Sequence, residues 1–173
     1  MRIEHQFSIA GFEVSVSFPD GWDADTLLPS FRPFYGKKEG QEKALLKCTV
    51  CTSVENKAAM PSGELIENTL SDMGYVSLYK EAEGYCVTLS AEQGGTLHVM
   101  QADRCFSVVS VFLHEEDKRA GHALSSLLRI AYSQAVLYWD AVSIHASAVF
   151  CENQAFLFMG KSGTGKSTHS ALW

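Results

Sequence analysis

Ala155-Phe156-Leu157-Phe158-Met159 runs directly into Gly160-Lys161-Ser162-Gly163-Thr164-Gly165-Lys166-Ser167-Thr168, and the sequence stops soon afterwards at Trp173. A short, continuous apolar run of this kind reads as a buried strand. The residues after it satisfy G-x-x-x-x-G-K-[S/T] through Gly160, Gly165, Lys166 and Ser167. From Ser167 onward the chain reads as the first turns of a helix. Strand, glycine loop and helix therefore stand in the order a phosphate-binding P-loop requires.

Each residue type in the loop has a physical task. Gly160, Gly163 and Gly165 permit positive φ and carry no Cβ, so successive backbone N–H groups can turn inward around an anion. The helix that follows adds its free N–H groups and the positive end of its dipole. Lys166 reaches the β- and γ-phosphates as a point charge, and the Ser167 hydroxyl ligates Mg²⁺. Thr168 either bonds a phosphate oxygen or caps the loop. The plain alternative is a glycine-rich turn that happens to carry a surface lysine.

Upstream, Val142-Ser143-Ile144-His145-Ala146-Ser147-Ala148-Val149-Phe150 alternates as a strand does, and Cys151-Glu152-Asn153-Gln154 supplies polar turn residues. The two strands read as an antiparallel hairpin. Counting along it puts His145 toward the same end as the glycine loop. By itself, a histidine in such a strand is more simply a core or edge residue with one satisfied hydrogen bond.

With its histidine, small residues, hairpin and GKSGTGKS loop, the segment 145–167 resembles the catalytic domain of HPr kinase/phosphorylase. It also resembles, more distantly, the P-loop core of phosphoenolpyruvate carboxykinases. The resemblance covers only about the last sixth of the chain. It implies that residues 160–168 cradle ATP or pyrophosphate, with Lys166 on the phosphates and Ser167 on Mg²⁺. His145 matches the histidine those kinases carry near the transferred phosphate. Thr168 stands where HPr kinases typically have an acidic residue, which leans toward the carboxykinase side or a divergent kinase branch. The acidic residues that hold metal and activate the acceptor hydroxyl in that family lie downstream of the loop, where this sequence has no counterpart.

Composition narrows the class. Hydrophobic residues make up 46% and charged residues 20%, as in a folded domain and unlike a disordered chain. A net charge of −6 argues against nucleic acid as a main partner. The most apolar long stretch, 123–142, is broken by Arg129, Ser133, Gln134 and Asp140, so no membrane span is expected. The start lacks the apolar core of a signal peptide, and the default location is cytoplasmic. Five cysteines leave one unpaired under any disulfide scheme, which suits a reducing compartment. Cys48-x-x-Cys51 lies in a strand-like run, where residues three apart point to opposite faces, so a shared metal is not expected.

Residues 3–9 and 12–18 flank Ala10-Gly11 as a hairpin. Residues 20–42 read as loop, with the pair Lys37-Lys38 as a solvated basic patch. Pro61-Ser62-Gly63-Glu64 reads as the start of a short helix through about Asp72. Four strand-like runs follow, over 75–81, 85–90, 96–101 and 105–113. Acidic residues 115–117 then open a helix from about 121 to 140 that buries Leu124, Leu127, Leu128, Ala131, Ala135, Val136 and Trp139.

The expected fold class is thus α+β: an antiparallel β-sheet region with a short helix, then a long helix and the start of an HPr-kinase/carboxykinase-like P-loop domain. The expected division is 1–118, a β-rich domain of unassigned role, and 119–173, a linker helix, hairpin and incomplete nucleotide-binding domain. Phosphotransfer needs an acidic Mg²⁺ partner and a group that orients the nucleophile, and residues 1–159 offer neither by spacing. The chain accordingly reads as the N-terminal part of a phosphotransferase, inactive alone, with ATP and Mg²⁺ as cofactors and a protein or small hydroxyl compound as acceptor. An uncovered sheet edge in such a part predicts self-association or disorder of the last dozen residues. The alternative is a nucleotide-sensing or scaffold protein whose β-rich domain carries the function. In a third variant the loop prefers a free anion such as pyrophosphate.

Overall fold

The computed structural model describes residues 1–36, 44–52, 59–161 and 163–173. Contacts divide the chain into two units, Met1–Ala141 and Val142–Trp173.

In the first unit, β1 (Arg2–Ile9) and β2 (Phe12–Pro19) form a hairpin closed by Ala10 and Gly11. Both turn residues have positive φ, 51° and 87°, as a turn matched to the strand twist requires. The chain then crosses over through α1 (Ala24–Leu27) and a 3-10 turn (Pro29–Phe34) to β3 (Leu46–Thr52). This strand lies parallel to β2, with Val16 opposite Cys48. Then β4 (Glu64–Ser71), β5 (Gly74–Lys80), β6 (Gly84–Ser90), β7 (His98–Asp103) and β8 (Val108–Leu113) make an antiparallel meander. The meander returns β8 to lie parallel to β3, with Val50 opposite Val111. Among the described residues the result is one eight-stranded sheet in the order β1-β2-β3-β8-β7-β6-β5-β4.

One face of this sheet is covered by α2 (Ala120–Ala135), which continues as a 3-10 turn (Val136–Trp139). Alternate strand residues such as Val16, Val50, Val87, Met100 and Val111 join Leu124, Leu127, Leu128 and Ala131 of the helix in one buried cluster. The helix is apolar at the 3–4-residue spacing that a single covered face demands. Tyr132 adds a directional tie, its hydroxyl donating to the Ile9 carbonyl at 3.1 Å.

These elements correct the expected fold class. The chain is mostly a mixed eight-stranded sheet, 22% helical with a single helical stretch of 20 residues, rather than a helix leading into a P-loop domain. The sheet is not purely antiparallel, because β2, β3 and β8 run parallel. Alternation of apolar residues is the same in both orientations, so the pattern in β3 carries no sign of direction. The helix expected from residue 61 is instead β4. There Ser62 N–H and Gly63 N–H donate to the Glu81 carboxylate at 2.9 and 3.0 Å, which ties the strand entrance to the end of β5. At the far end the Ser71 hydroxyl accepts from Met73 N–H at 3.1 Å and turns the chain back into a hairpin. Ile66 and Thr69 are β-branched and favour the strand once a partner is present. Trp139, expected to be buried, is 47% exposed and meets Phe12 edge-on. The pair Lys37-Lys38 lies outside the described residues.

His98 on β7 is almost fully buried. Its Nδ1 accepts from His114 N–H at 3.4 Å and its Nε2 faces the Asp117 carboxylate at 3.1 Å. The two contacts select the neutral ring protonated on Nε2, which donates to Asp117. A proton added at Nδ1 would face another N–H. Burial outweighs the carboxylate and holds the imidazole below its ordinary value of 6.5. The unfolded chain therefore binds the proton more readily, and this site's contribution is full above about pH 6.5 and is lost as pH falls below it. Thermal midpoints should drop as pH is lowered from about 7 to 5, and His98→Gln should flatten that slope. An unchanged slope in the variant would remove His98 as its source.

In the second unit, β9 (Ala146–Cys151) and β10 (Gln154–Met159) pair antiparallel around Glu152 and Asn153, both with positive φ. A glycine loop leads from β10 to α3 (Lys166–Ser170). Phe158 packs against His169 at 4.8 Å and Trp173 at 5.9 Å between ring centroids, so α3 and the residues after it cover one face of the hairpin.

Candidate phosphate-binding loop

The hairpin sets where the loop residues begin. Met159 pairs with Ala146, so His145 and Gly160 leave the strands at the same end. His145 precedes β9 and is exposed, with no hydrogen-bond partner among the described residues. From Gly160 the backbone takes φ of 157° at Gly160, 80° at Gly163 and 81° at Gly165. The last two lie in the left-handed region that glycine occupies without strain, and neither has a neighbour within 4 Å of a built Cβ. Between them Thr164 folds back, its hydroxyl donating to the Lys161 carbonyl at 2.8 Å. Ser162 lies outside the described residues.

Lys166 opens α3 and turns toward the loop rather than toward solvent. Its Nζ donates to the carbonyls of Gly160 and Lys161, each at 3.0 Å. An ammonium satisfied by two exposed carbonyls is held over the loop by weak, exchangeable bonds. A phosphate oxygen offers the same cation a charge-assisted partner, which is the stronger acceptor. Ser167 and Thr168 are exposed, and their hydroxyls have no protein partner among the described residues.

Mg²⁺ needs little from the protein here. It prefers octahedral oxygen coordination filled largely by water and phosphate, with one or two protein oxygens. The unpartnered Ser167 hydroxyl fits that demand. Among the described residues no three His, Cys, Asp or Glu side chains gather as a metal site. Cys48, Cys86, Cys105 and Cys151 are free of disulfides. Cys48 is buried, its thiol pushed far up by desolvation, and Cys51 sits on the other face of β3. Burial likewise pushes the Cys86 thiol up to about 12. Burial thus disfavours the reactive thiolate at Cys48 and Cys86. Among the described residues no helix is long and apolar enough to cross a membrane.

One feature of the first unit has no signal in the linear sequence. A cavity of about 440 Å³ opens between the β4–β5–β6 end of the sheet and the second half of α2. Its floor comes from Val76, Leu78 and Val87, and its walls from Phe106, Ile130 and Tyr138. These residues are separated by up to 62 positions along the chain, from Val76 to Tyr138, and each alone reads as ordinary core.

Comparison with protein-family models, with curated proteins and with solved structures gives no match. The geometry alone defines what this chain is: a helix-backed mixed sheet, and a hairpin–glycine-loop–helix unit with a lysine folded over the loop.

Proposed function

We propose that the 160–168 loop binds the phosphates of Mg²⁺-ATP, and that the chain is the nucleotide-binding portion of an HPr-kinase-like phosphotransferase. The observation that supports this most is the position of Lys166, whose Nζ lies 3.0 Å from two loop carbonyls at the start of α3. In this reading the loop N–H groups and Lys166 hold the phosphates and Ser167 ligates Mg²⁺. Lys161, Ser162, Thr164 and Thr168 border the anion. His145, which leaves the hairpin at the Gly160 end, stands near the transferred phosphate. The acceptor is a hydroxyl of a protein or a small molecule.

Calorimetric titration of Mg²⁺-ATP into the whole chain, beside Lys166→Ala, tests the reading. Saturable heat that the substitution removes is the expected result. No heat from a folded chain would overturn it. Because the contacts described are to phosphates and none is to a base, pyrophosphate should compete with ATP for the same site. Its Kd should lie within about tenfold of that for ATP, a difference of ~1.4 kcal/mol. Failure of pyrophosphate to compete would place the main binding contacts on the nucleoside instead.

A further inference from the structure

Strand β4 ends the sheet, and among the described residues it pairs with β5 alone. A sheet edge presents unpaired N–H and C=O groups and is a template for another strand. Natural edges are commonly blunted by charges, Pro or a bulge. Strand β4 has no Lys or Pro, and its register shifts between Leu65 and Glu67. Beyond that shift residues 67–71 pair regularly with β5, with Glu67 the one charge among them. Leu65, Ile66 and Leu70 are instead 51%, 50% and 66% exposed. The other edge, β1, is partly covered by the chain that follows α1, where Tyr35 bridges to Phe7 and Gly36 N–H donates to the Gln6 carbonyl at 3.1 Å.

The cavity beside α2 opens against this same strand. Glu67 and Thr69 stand opposite Leu78 and Val76, so they share the face on which the cavity lies. Glu64 and Glu67 form no ion pair among the described residues. Arg104, the cavity's cation, donates to the Ala82 carbonyl at 3.1 Å and sits 4.0 Å from Glu83. Free main-chain groups, an apolar hole and an unneutralised carboxylate are thus aligned along one edge.

We infer that β4 receives an extended peptide segment of a partner protein, which adds a strand to the sheet and buries one large apolar side chain in the cavity between β5 and α2. Strand addition draws its affinity from main-chain hydrogen bonds and its specificity from pockets for alternate side chains. Side chains two apart on an added strand point to the same face. The recognised pattern is therefore an aliphatic or aromatic residue in the cavity with a Lys or Arg two positions away, against Glu67. All the residues of this site lie in the first unit.

The test uses the whole chain and fluorescein-labelled decapeptides on a Thr/Val background, read by fluorescence anisotropy. One set carries Phe and Lys two apart, a second three apart on opposite faces, and a third replaces Lys by Glu. The first set should bind at least about tenfold more tightly than the others, a gap of ~1.4 kcal/mol. N-methylation of alternate peptide bonds on the strand-facing side should abolish binding. Glu67 is exposed, so Glu67→Lys should keep the thermal midpoint of the parent, and it should reverse the preference in favour of the Glu peptides. Equal binding of all sets, or an unchanged preference in Glu67→Lys, would overturn the inference. A dimer in sedimentation that excludes the peptides would assign the edge to a second copy of the chain and overturn it as well.

Discussion

Replacing Lys166 with alanine is expected to lower the affinity for Mg²⁺-ATP by about 100-fold or more, with no loss of fold. Hydrogen bonds to charged groups contribute about 1.5–3 kcal/mol each, and a lysine shared by two phosphates forms two of them. Each ~1.4 kcal/mol is a factor of ten in Kd. In the free protein the same ammonium bonds, among the described residues, to the exposed carbonyls of Gly160 and Lys161, which water can solvate when it is removed. The thermal midpoint of the variant should therefore match that of the parent without nucleotide. Adding Mg²⁺-ATP should raise the midpoint of the parent alone, since a ligand bound only by the native state stabilises it. Equal affinities in parent and variant would reduce the loop to an ordinary turn.

The second large effect is on stability. Leu127 is fully buried in α2, within the cluster that includes Val50, Val111 and Met100. Leu127→Ala removes its apolar contacts and leaves a cavity that close-packed neighbours fill only in part, at a cost of about 2–5 kcal/mol. A domain of this size has a total stability of about 5–15 kcal/mol, so the variant loses a large share of it. Urea denaturation should show a lower midpoint with an unchanged slope. Leu70→Ala, at a position 66% exposed on the sheet edge, is the matched control and should change stability by less than about 0.5 kcal/mol. If the two substitutions destabilised equally, α2 would not be the element that seals the sheet.

Where a residue's own chemistry dictates its role, the sequence was readable. Ala10-Gly11 marks its hairpin because Gly11 takes positive φ at no steric cost between two alternating apolar runs; Ala10, at 51°, is held there by the strand pairing on either side. Leu124, Leu127, Leu128 and Ala131 mark a helix with one buried face because their spacing suits no strand. Gly163 and Gly165 adopt left-handed backbone angles that their identity permits, and the polar turn at Glu152-Asn153 falls between two strands as its composition suggests. Residues 64–71 form a strand where the sequence pattern predicts a short helix. Their apolar positions fit a short helix about as well as a strand, and the deciding contacts come from Glu81 and from seven pairings with β5. Local pattern carries no record of such partners.

Composition, turn chemistry and periodicity thus determine most of the pieces: the first hairpin, the apolar stripe of α2, the strand-like runs of the meander and the glycine loop with its lysine. Each of these follows from backbone freedom or side-chain spacing within a few residues. The direction of β3 between β2 and β8, the strand state of 64–71, the neutral ring of His98 and the cavity beside α2 follow from contacts between residues far apart in the chain. Pairing, burial and enclosure are properties of such distant neighbours. They come into being only when the sheet closes against its helix.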